Sequence, residues 1–244
     1  MRTELDRNPR PTELTLLGGF ELRQEDQTVV LPLGAQRLLA FLGLHDEPLL
    51  RGHVAEALWP ERHRHRANAN LRSVVWRVRQ ADPNLIDGAR SRLGLAAYVR
   101  VDVRERIVLA RALVNRELGS DPCTLDRGVS AALSADLLPD WFDEWLPIPR
   151  HRWTQLRLHA LEAVAEHFLA VGHFSQALEA ALAAVWAEPL RESGHRVLIR
   201  IHAAEGNWSE AISQYHRYRQ LLHRELRVLP TAQMETLIQE LTPR

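Results

Sequence analysis

The sequence predicts a mainly α fold with a small β component: an N-terminal winged helix followed by an all-α, tetratricopeptide-like domain. Three observations predict it. The stretch from Glu61 to Asp82 carries six arginines and one glutamate ahead of Asp82, together with an apolar stripe at helical spacing. Short extended runs rich in β-branched and leucine residues lie on both sides of that stretch, before Leu33 and after Pro83. Beyond residue 170, Gly172, Ala177, Ala181, Ala184 and Pro189 space out a helical hairpin, and Gly206, Ala211 and Tyr215 repeat its first positions 34 residues later. That is the period of the tetratricopeptide repeat.

Taken in order, residues 1–12 are polar, contain Pro9 and Pro11, and are expected to form a flexible N-terminus. Leu14–Leu17, Phe20–Arg23 and Thr28–Leu31 read as three short strands, with a bend at Gly18 and Gly19 and a polar turn from Gln24 to Gln27. A first helix follows from Gly34, with Ala35, Leu38, Leu39 and Leu42 on its buried face, and ends near His45–Pro48. The second helix covers Arg51–Leu58 and stops before Pro60; the third covers Arg64–Ala81. Extended runs at Leu85–Asp87, Leu93–Leu95 and Tyr98–Val101, with a turn containing Gly88, Arg90 and Arg92, predict a hairpin wing. The winged helix is thus expected over residues 13–101 and the helical domain over 102–244. Within the latter, Arg104–Glu117 and Thr124–Leu133 read as helices, and Leu137–Pro149 as a connection whose Trp141, Phe142 and Trp145 plug a core. The second repeat unit is degenerate, with Tyr218 in place of Ala184 and His223 in place of Pro189.

The third helix carries the candidate site. Ala67, Leu71, Val74, Val75 and Val78 recur at i, i+4, i+7, i+8 and i+11, one face of an amphipathic helix. At 100° per residue, His65, Ala69, Arg72, Ser73 and Trp76 fall on or near the opposite face, flanked by Arg66, Arg77 and Arg79. A helix, a connection and a second, cationic helix form the reading unit of many DNA-binding domains. The candidate DNA-binding set is therefore Arg66, Asn68, Ala69, Arg72, Ser73, Trp76, Arg77 and Arg79, joined by Arg90 and Arg92 of the wing. Arg72, close to the centre of the polar face, suits a bidentate contact with a guanine edge, and Arg77, on its flank, suits phosphate.

Charge and composition narrow the alternatives. The chain is formally neutral, but residues up to Val101 hold 15 Arg and 12 acids while the remainder holds 16 Arg and 19 acids, giving +3 and −3. A basic module joined to an acidic one fits a nucleic-acid reader attached to an interaction domain. All basic residues are arginine in both halves, so their identity reflects composition rather than guanidinium chemistry. Cys123 is the sole cysteine, which excludes an intramolecular disulfide and any cysteine-rich zinc site and points to a reducing, cytoplasmic setting. The first ten residues hold three Arg, one Glu and one Asp without an apolar core, so no signal peptide is expected. The most apolar run, Ala177–Leu190, is interrupted by Glu179 and Glu188 and is too short for a membrane span.

No enzyme and no cofactor is expected. His63 and His65 alternate with arginines that would repel a metal ion, and no carboxylate or thiol cluster accompanies them. A Walker loop is impossible without lysine, no Gly-x-Ser-x-Gly elbow occurs, and Asp140, Asp143 and Glu144 beside two tryptophans read as a polar rim rather than paired catalytic acids.

Several segments resemble one family. Leu33-Gly34-Ala35-Gln36-Arg37-Leu38-Leu39-Ala40, Ala57-Leu58-Trp59-Pro60-Glu61, and Asn70-Leu71-Arg72 with Val78-Arg79 are similar to the OmpR-type winged helix of the SARP family, the Streptomyces antibiotic regulatory proteins. Asp136–Asp140, Glu188–Glu192, Gly206–Tyr215 and Arg224-Glu225-Leu226 leading to Pro230 resemble that family's bacterial transcriptional activation domain. The resemblance spans about Leu14–Leu241 and rests on the ordered combination. It implies a transcriptional activator whose third helix enters the major groove of double-stranded DNA and which helps recruit RNA polymerase holoenzyme. It further implies that the connection between the second and third helices, here Glu61, Arg62, His63, Arg64 and His65, touches polymerase. Pairing of two protomers as a homodimer on DNA is a separate expectation. Two positions depart from the family pattern: Arg227 stands where Gly is common, and Trp76 replaces a smaller or polar residue. A tetratricopeptide-type adaptor whose winged helix binds protein is the alternative reading, and the salt dependence of DNA affinity separates the two.

Overall fold

The computed structural model of the chain describes residues 11–88, 91–115 and 128–241. They form two compact units, Met1–Glu105 with Asp136–Arg152, and Arg106–Ala135 with Trp153–Arg244.

In the first unit, β1 (Thr12–Thr15), β2 (Glu21–Gln24) and β3 (Gln27–Thr28) are followed by α1 (Leu33–Gly43), β4 (Leu49–Leu50), α2 (Arg51–Leu58) and α3 (Arg64–Ala81). The wing strands β5 (Ile86–Asp87) and β6 (Arg92–Leu95) and the returning strand β7 (Val99–Val101) complete it. The β2–β3 turn places Glu25 and Asp26 both at positive φ, 47° and 66°. That pattern belongs to a two-residue hairpin turn whose twist matches its strands. Its second strand is shorter than expected: it stops at Thr28, and Val30, expected within it, is 90% exposed. Strand order is β3-β2-β1-β7, with β7 parallel to β1 in the register Leu14↔Val101, and a second sheet orders β4-β6-β5. Neither β4 nor the parallel pairing carries a periodicity of its own in the sequence, because two- and three-residue strands are too short to show one.

Helices α2 and α3 have the bounds expected of them, and all five residues of the α3 stripe are buried. They pack with Leu38, Leu39, Leu42 and Leu58, each at 1% exposure or less. At the start of the wing, Gly88 has φ 151°, and a Cβ there would lie 2.3 Å from the Arg92 carbonyl oxygen. Only glycine fits that approach without a shift of backbone.

The segment from Asp136 to Arg152 belongs to this unit although it follows α4 (Asp102–Val114) and α5 (Val129–Ser134) in the chain. It lays itself along Leu16–Gly18 by backbone pairing: Leu138 N–H donates to the Leu16 carbonyl at 2.9 Å and Gly18 N–H to that of Asp136 at 2.7 Å. Asp102 supplies the neighbouring amides, accepting from Leu16 N–H at 2.9 Å and Leu17 N–H at 3.0 Å. Gly18 and Gly19, both at positive φ, let the chain turn there. The expectation that all three aromatics plug a core needs correction. Trp141 stacks on Phe20 and Trp145 meets Phe41 edge-on at 5.2 Å, but Phe142 is 92% exposed. A compact loop cannot turn three near-consecutive side chains to one side. Its connection is also shorter than expected, since α6 (Pro147–Ala170) already begins at Pro147. Proline is well placed in a helix's first turn, where no intrahelical N–H bond is lost.

The second unit contains the remainder of α6, then α7 (Phe174–Ala187), α8 (Glu192–Ala204), α9 (Trp208–Leu226) and α10 (Ala232–Leu241). Ala177, Ala181 and Ala184 are buried in α7, as a closely packed hairpin requires. In the second hairpin Tyr218, at 2% exposure, takes the place of Ala184 and stacks on His195 at 4.2 Å. His223 does not interrupt the helix as Pro189 would, so α9 runs 19 residues against 14 for α7. Ile199, Ala211, Tyr215, Tyr218, Leu222 and Met234 close the core at this end. The motif Glu188–Glu192 is structural: Arg191 pairs with Glu162 at 2.7 Å, and Glu192 accepts Thr231 N–H at 2.8 Å ahead of α10. The expected helices at Arg104–Glu117 and Thr124–Leu133 are described as α4 and α5; residues 116–127, including Cys123, lie outside the described residues. No helix among the described residues is long and apolar enough to cross a membrane.

Candidate nucleic-acid interface

Burial of Ala67, Leu71, Val74, Val75 and Val78 fixes the roll of α3 and so determines what it offers to solvent. Arg66, Arg72, Ser73, Trp76, Arg77 and Arg79 are all exposed, while Asn68 and Ala69 are half-buried. Trp76 stands out at 62% exposure. None of Arg66, Arg72, Arg77 and Arg79 has a carboxylate partner among the described residues, so four full positive charges face outward on 14 residues of helix. Asn68 already uses its amide, donating from Nδ2 to the Arg64 carbonyl at 2.8 Å.

One cation was missed in the sequence. Arg51 opens α2, and its guanidinium is held below its ordinary pKa by burial first, then by the charges of Arg79 and Arg72. Arg51, Arg72 and Arg79 therefore share one neighbourhood without a neutralising acid among the described residues, which is an anion-attracting arrangement. Its backbone N–H also donates to the Ser91 carbonyl at 2.9 Å, tying the start of α2 to the wing. The available signal was a cation in the first turn of the helix that packs on α3.

The wing is partly committed to structure. Arg92 is exposed, but its Nη1 donates to the Pro48 carbonyl at 2.7 Å and braces β6. Arg90 lies outside the described residues. Behind the wing, Asp82 caps the turn after α3 by accepting Asn84 N–H at 2.8 Å, accepts Gln24 Nε2 at 2.7 Å, and together with burial holds the Tyr98 hydroxyl up at a pKa of about 12. The burial contribution is the largest.

The α2–α3 connection projects Glu61, Arg62 and His63 as exposed residues, and Arg64 and His65 occupy the exposed first turn of α3. Among the described residues the Arg64 side chain makes only a long ion-pair contact, to Glu56, 3.9 Å between two exposed side chains. Among the described residues, no group of three or more His, Cys, Asp or Glu side chains is placed to hold a metal ion.

Such an arrangement, a three-helix core with a wing and a cationic third helix, followed by stacked helical hairpins, is a winged-helix module with a tetratricopeptide-like one after it. Residues 127–242 match the family described as the bacterial transcriptional activator domain. The helical second half of the chain is thus similar to that domain. The fold of the chain is similar to that of Mycobacterium tuberculosis EmbR in complex with a low-affinity phosphopeptide, with a TM-score of 0.73 and 21% sequence identity over 96% of this chain. The chain spans 65% of the length of that protein. No curated protein matches its sequence.

Proposed function

We propose that this protein is a sequence-specific transcriptional activator that binds promoter DNA through α3 and the wing and helps recruit RNA polymerase holoenzyme. The observation that carries the reading is the outward face of α3, where Arg66, Arg72, Arg77 and Arg79 stand unpaired among the described residues beside Arg51. Unpaired arginines spread over one exposed helix surface release counterions when they meet phosphates, whereas arginines that only solubilise a surface are commonly interleaved with acids. Arg72 and Arg77 divide base reading from phosphate contact, Arg92 and Arg90 bring the wing to the backbone, and Ser73, Asn68, Ala69 and Trp76 complete the surface.

Glu61, Arg62, His63, Arg64 and His65 form the polymerase-facing connection in this reading. The protein acts in the cytoplasm, without a cofactor, and pairs as a homodimer on DNA. The winged helix occupies residues 13–101 and the activation domain 102–244.

Selection of bound fragments from a random DNA library, followed by affinity measurement across salt concentrations, tests this. A shared motif and an affinity falling steeply with salt are expected, with a log-log slope of about −0.9 for each phosphate neutralised. Salt-independent or undetectable DNA binding would leave the adaptor reading.

A further inference from the structure

In the first unit a groove of about 590 Å³ opens between the α2–α3 connection and the loop carrying Trp141 and Phe142. We infer that this groove docks a basic segment of the transcription machinery, anchored by an apolar side chain, so that residues far apart in sequence form one protein-binding surface. The inference rests on the proposed function and names the chemistry of its polymerase contact.

The floor is built to hold its shape. Arg37 donates from Nε to Asp143 Oδ1 at 2.5 Å and from Nη2 to the Leu58 carbonyl at 2.9 Å, linking α1, the end of α2 and the loop. Arg150 donates to the carbonyls of Leu137, Leu138 and Trp141, which fixes the loop from behind. Trp141 is stacked on Phe20 with ring centroids 5.9 Å apart. A preorganised wall loses little entropy when a partner binds.

Apolar surface on this wall is left uncovered. Phe142 is 92% exposed and Leu33, across the groove, is 65% exposed. Apolar side chains grouped in a concave site and rimmed by polar groups mark a protein-binding surface more often than scattered exposed ones do.

Charge selects the occupant. Asp140, Glu144 and Glu61 are exposed lining residues with no ion-pair partner among the described residues, against Arg62 as the one lining guanidinium not already engaged. Three free carboxylates against one free guanidinium repel phosphate, so the groove is unsuited to DNA. They attract lysine or arginine flanking an apolar anchor. Glu61 and Arg62 also belong to the connection assigned to polymerase, which makes the groove a continuation of that contact.

The test uses the full chain on a promoter fragment with purified RNA polymerase holoenzyme. DNA occupancy is read by footprinting and polymerase retention by heparin-resistant complexes. Phe142→Ala, and separately Asp140→Asn with Glu144→Gln, are expected to lower protein-dependent polymerase retention at least fivefold while DNA occupancy stays within twofold. Asp140→Arg with Glu144→Arg is expected to lower it further. Retention at the wild-type level in all three variants overturns the groove assignment while leaving the proposed function intact. A loss with Phe142→Ala alone, the charge variants behaving as wild type, overturns a basic occupant. Altered self-association in place of altered polymerase retention shows that a second copy fills the groove and overturns it as well. Should the wild-type protein itself fail to raise polymerase retention on DNA that it occupies, the proposed function fails and the groove assignment fails with it.

Discussion

Arg37 on α1 and Asp143, 106 residues later in the chain, share a part-buried ion pair in which Arg37 Nε donates to Asp143 Oδ1 at 2.5 Å. The same oxygen accepts Trp145 Nε1–H at 3.1 Å, so one carboxylate organises both the guanidinium and an aromatic of the loop. Asp143→Ala leaves a part-buried cation with the Leu58 carbonyl alone, and the expected loss is about 1–3 kcal/mol of stability in the first unit. Urea unfolding followed by tryptophan fluorescence measures it, and a midpoint unchanged from wild type would show the pair to be energetically silent.

A fragment ending at Val101 is expected to be less stable than its winged-helix boundaries suggest. It lacks Asp102, which satisfies the Leu16 and Leu17 amides, and Leu138, which pairs with Leu16. Its melting temperature should lie below the first unfolding transition of the full chain, and a loss of DNA affinity in the fragment would then reflect partial unfolding. Calorimetry on both proteins separates that cause from a lost DNA contact.

Arg72 and Arg77 should have separable effects on DNA binding. Arg72→Ala is expected to cost ~1–3 kcal/mol on the preferred site with relaxed base preference, and Arg77→Ala to weaken all sequences alike while flattening the log-log salt slope by about one. Arg51→Ala should resemble Arg77→Ala, since Arg51 sits at the start of α2 and not on the reading helix. Binding to a panel of single-base variants at several salt concentrations distinguishes the two behaviours.

Arg227 ends α9 in the left-handed region, at φ 58° and ψ 33°. This is the helix-terminating position that glycine favours, because a Cβ crowds the backbone there. Arg227→Gly is expected to stabilise the second unit by about 0.5–1 kcal/mol, the relief of strain exceeding the added freedom of the unfolded chain. A lower melting temperature in the variant would contradict it.

His195 is buried at 3% exposure, with Nε2 2.8 Å from the Pro189 carbonyl and Nδ1 2.7 Å from Gln214 Nε2. The two partners are satisfied together when Nε2–H donates and Nδ1 accepts, the neutral ring. Burial is the main reason its pKa falls below 6.5; the Pro189 bond and Glu192 act upward, and Arg217 adds to the lowering. With the folded value depressed, the unfolded chain binds the proton more readily as pH falls below about 6.5, so this contribution is full above that pH and is lost as pH falls through the folded value. The melting temperature of the second unit should therefore drop between pH 7.5 and 5.5 by less in His195→Gln than in wild type. Equal drops would assign the effect to other histidines.

Local patterns in the sequence determined the helices and the polar face of α3. The stripe from Ala67 to Val78 specifies which side of α3 is buried, so the exposed arginines could be read from spacing alone, and the small residues of α7 mark a close-packed hairpin because helix contact distance depends on side-chain size. Tertiary structure alone decided that Arg51 joins Arg72 and Arg79, that β7 lies parallel to β1, and that Asp136–Arg152 returns to the first unit. These relations pair residues far apart in the chain through a single charge, a few backbone hydrogen bonds or one aromatic stack, and none of them leaves a periodicity. Exposure of Phe142 against the ring contacts of Trp141 and Trp145 is of the same kind: the composition of a loop says that it is aromatic, and only its backbone path decides which ring meets another and which stays exposed.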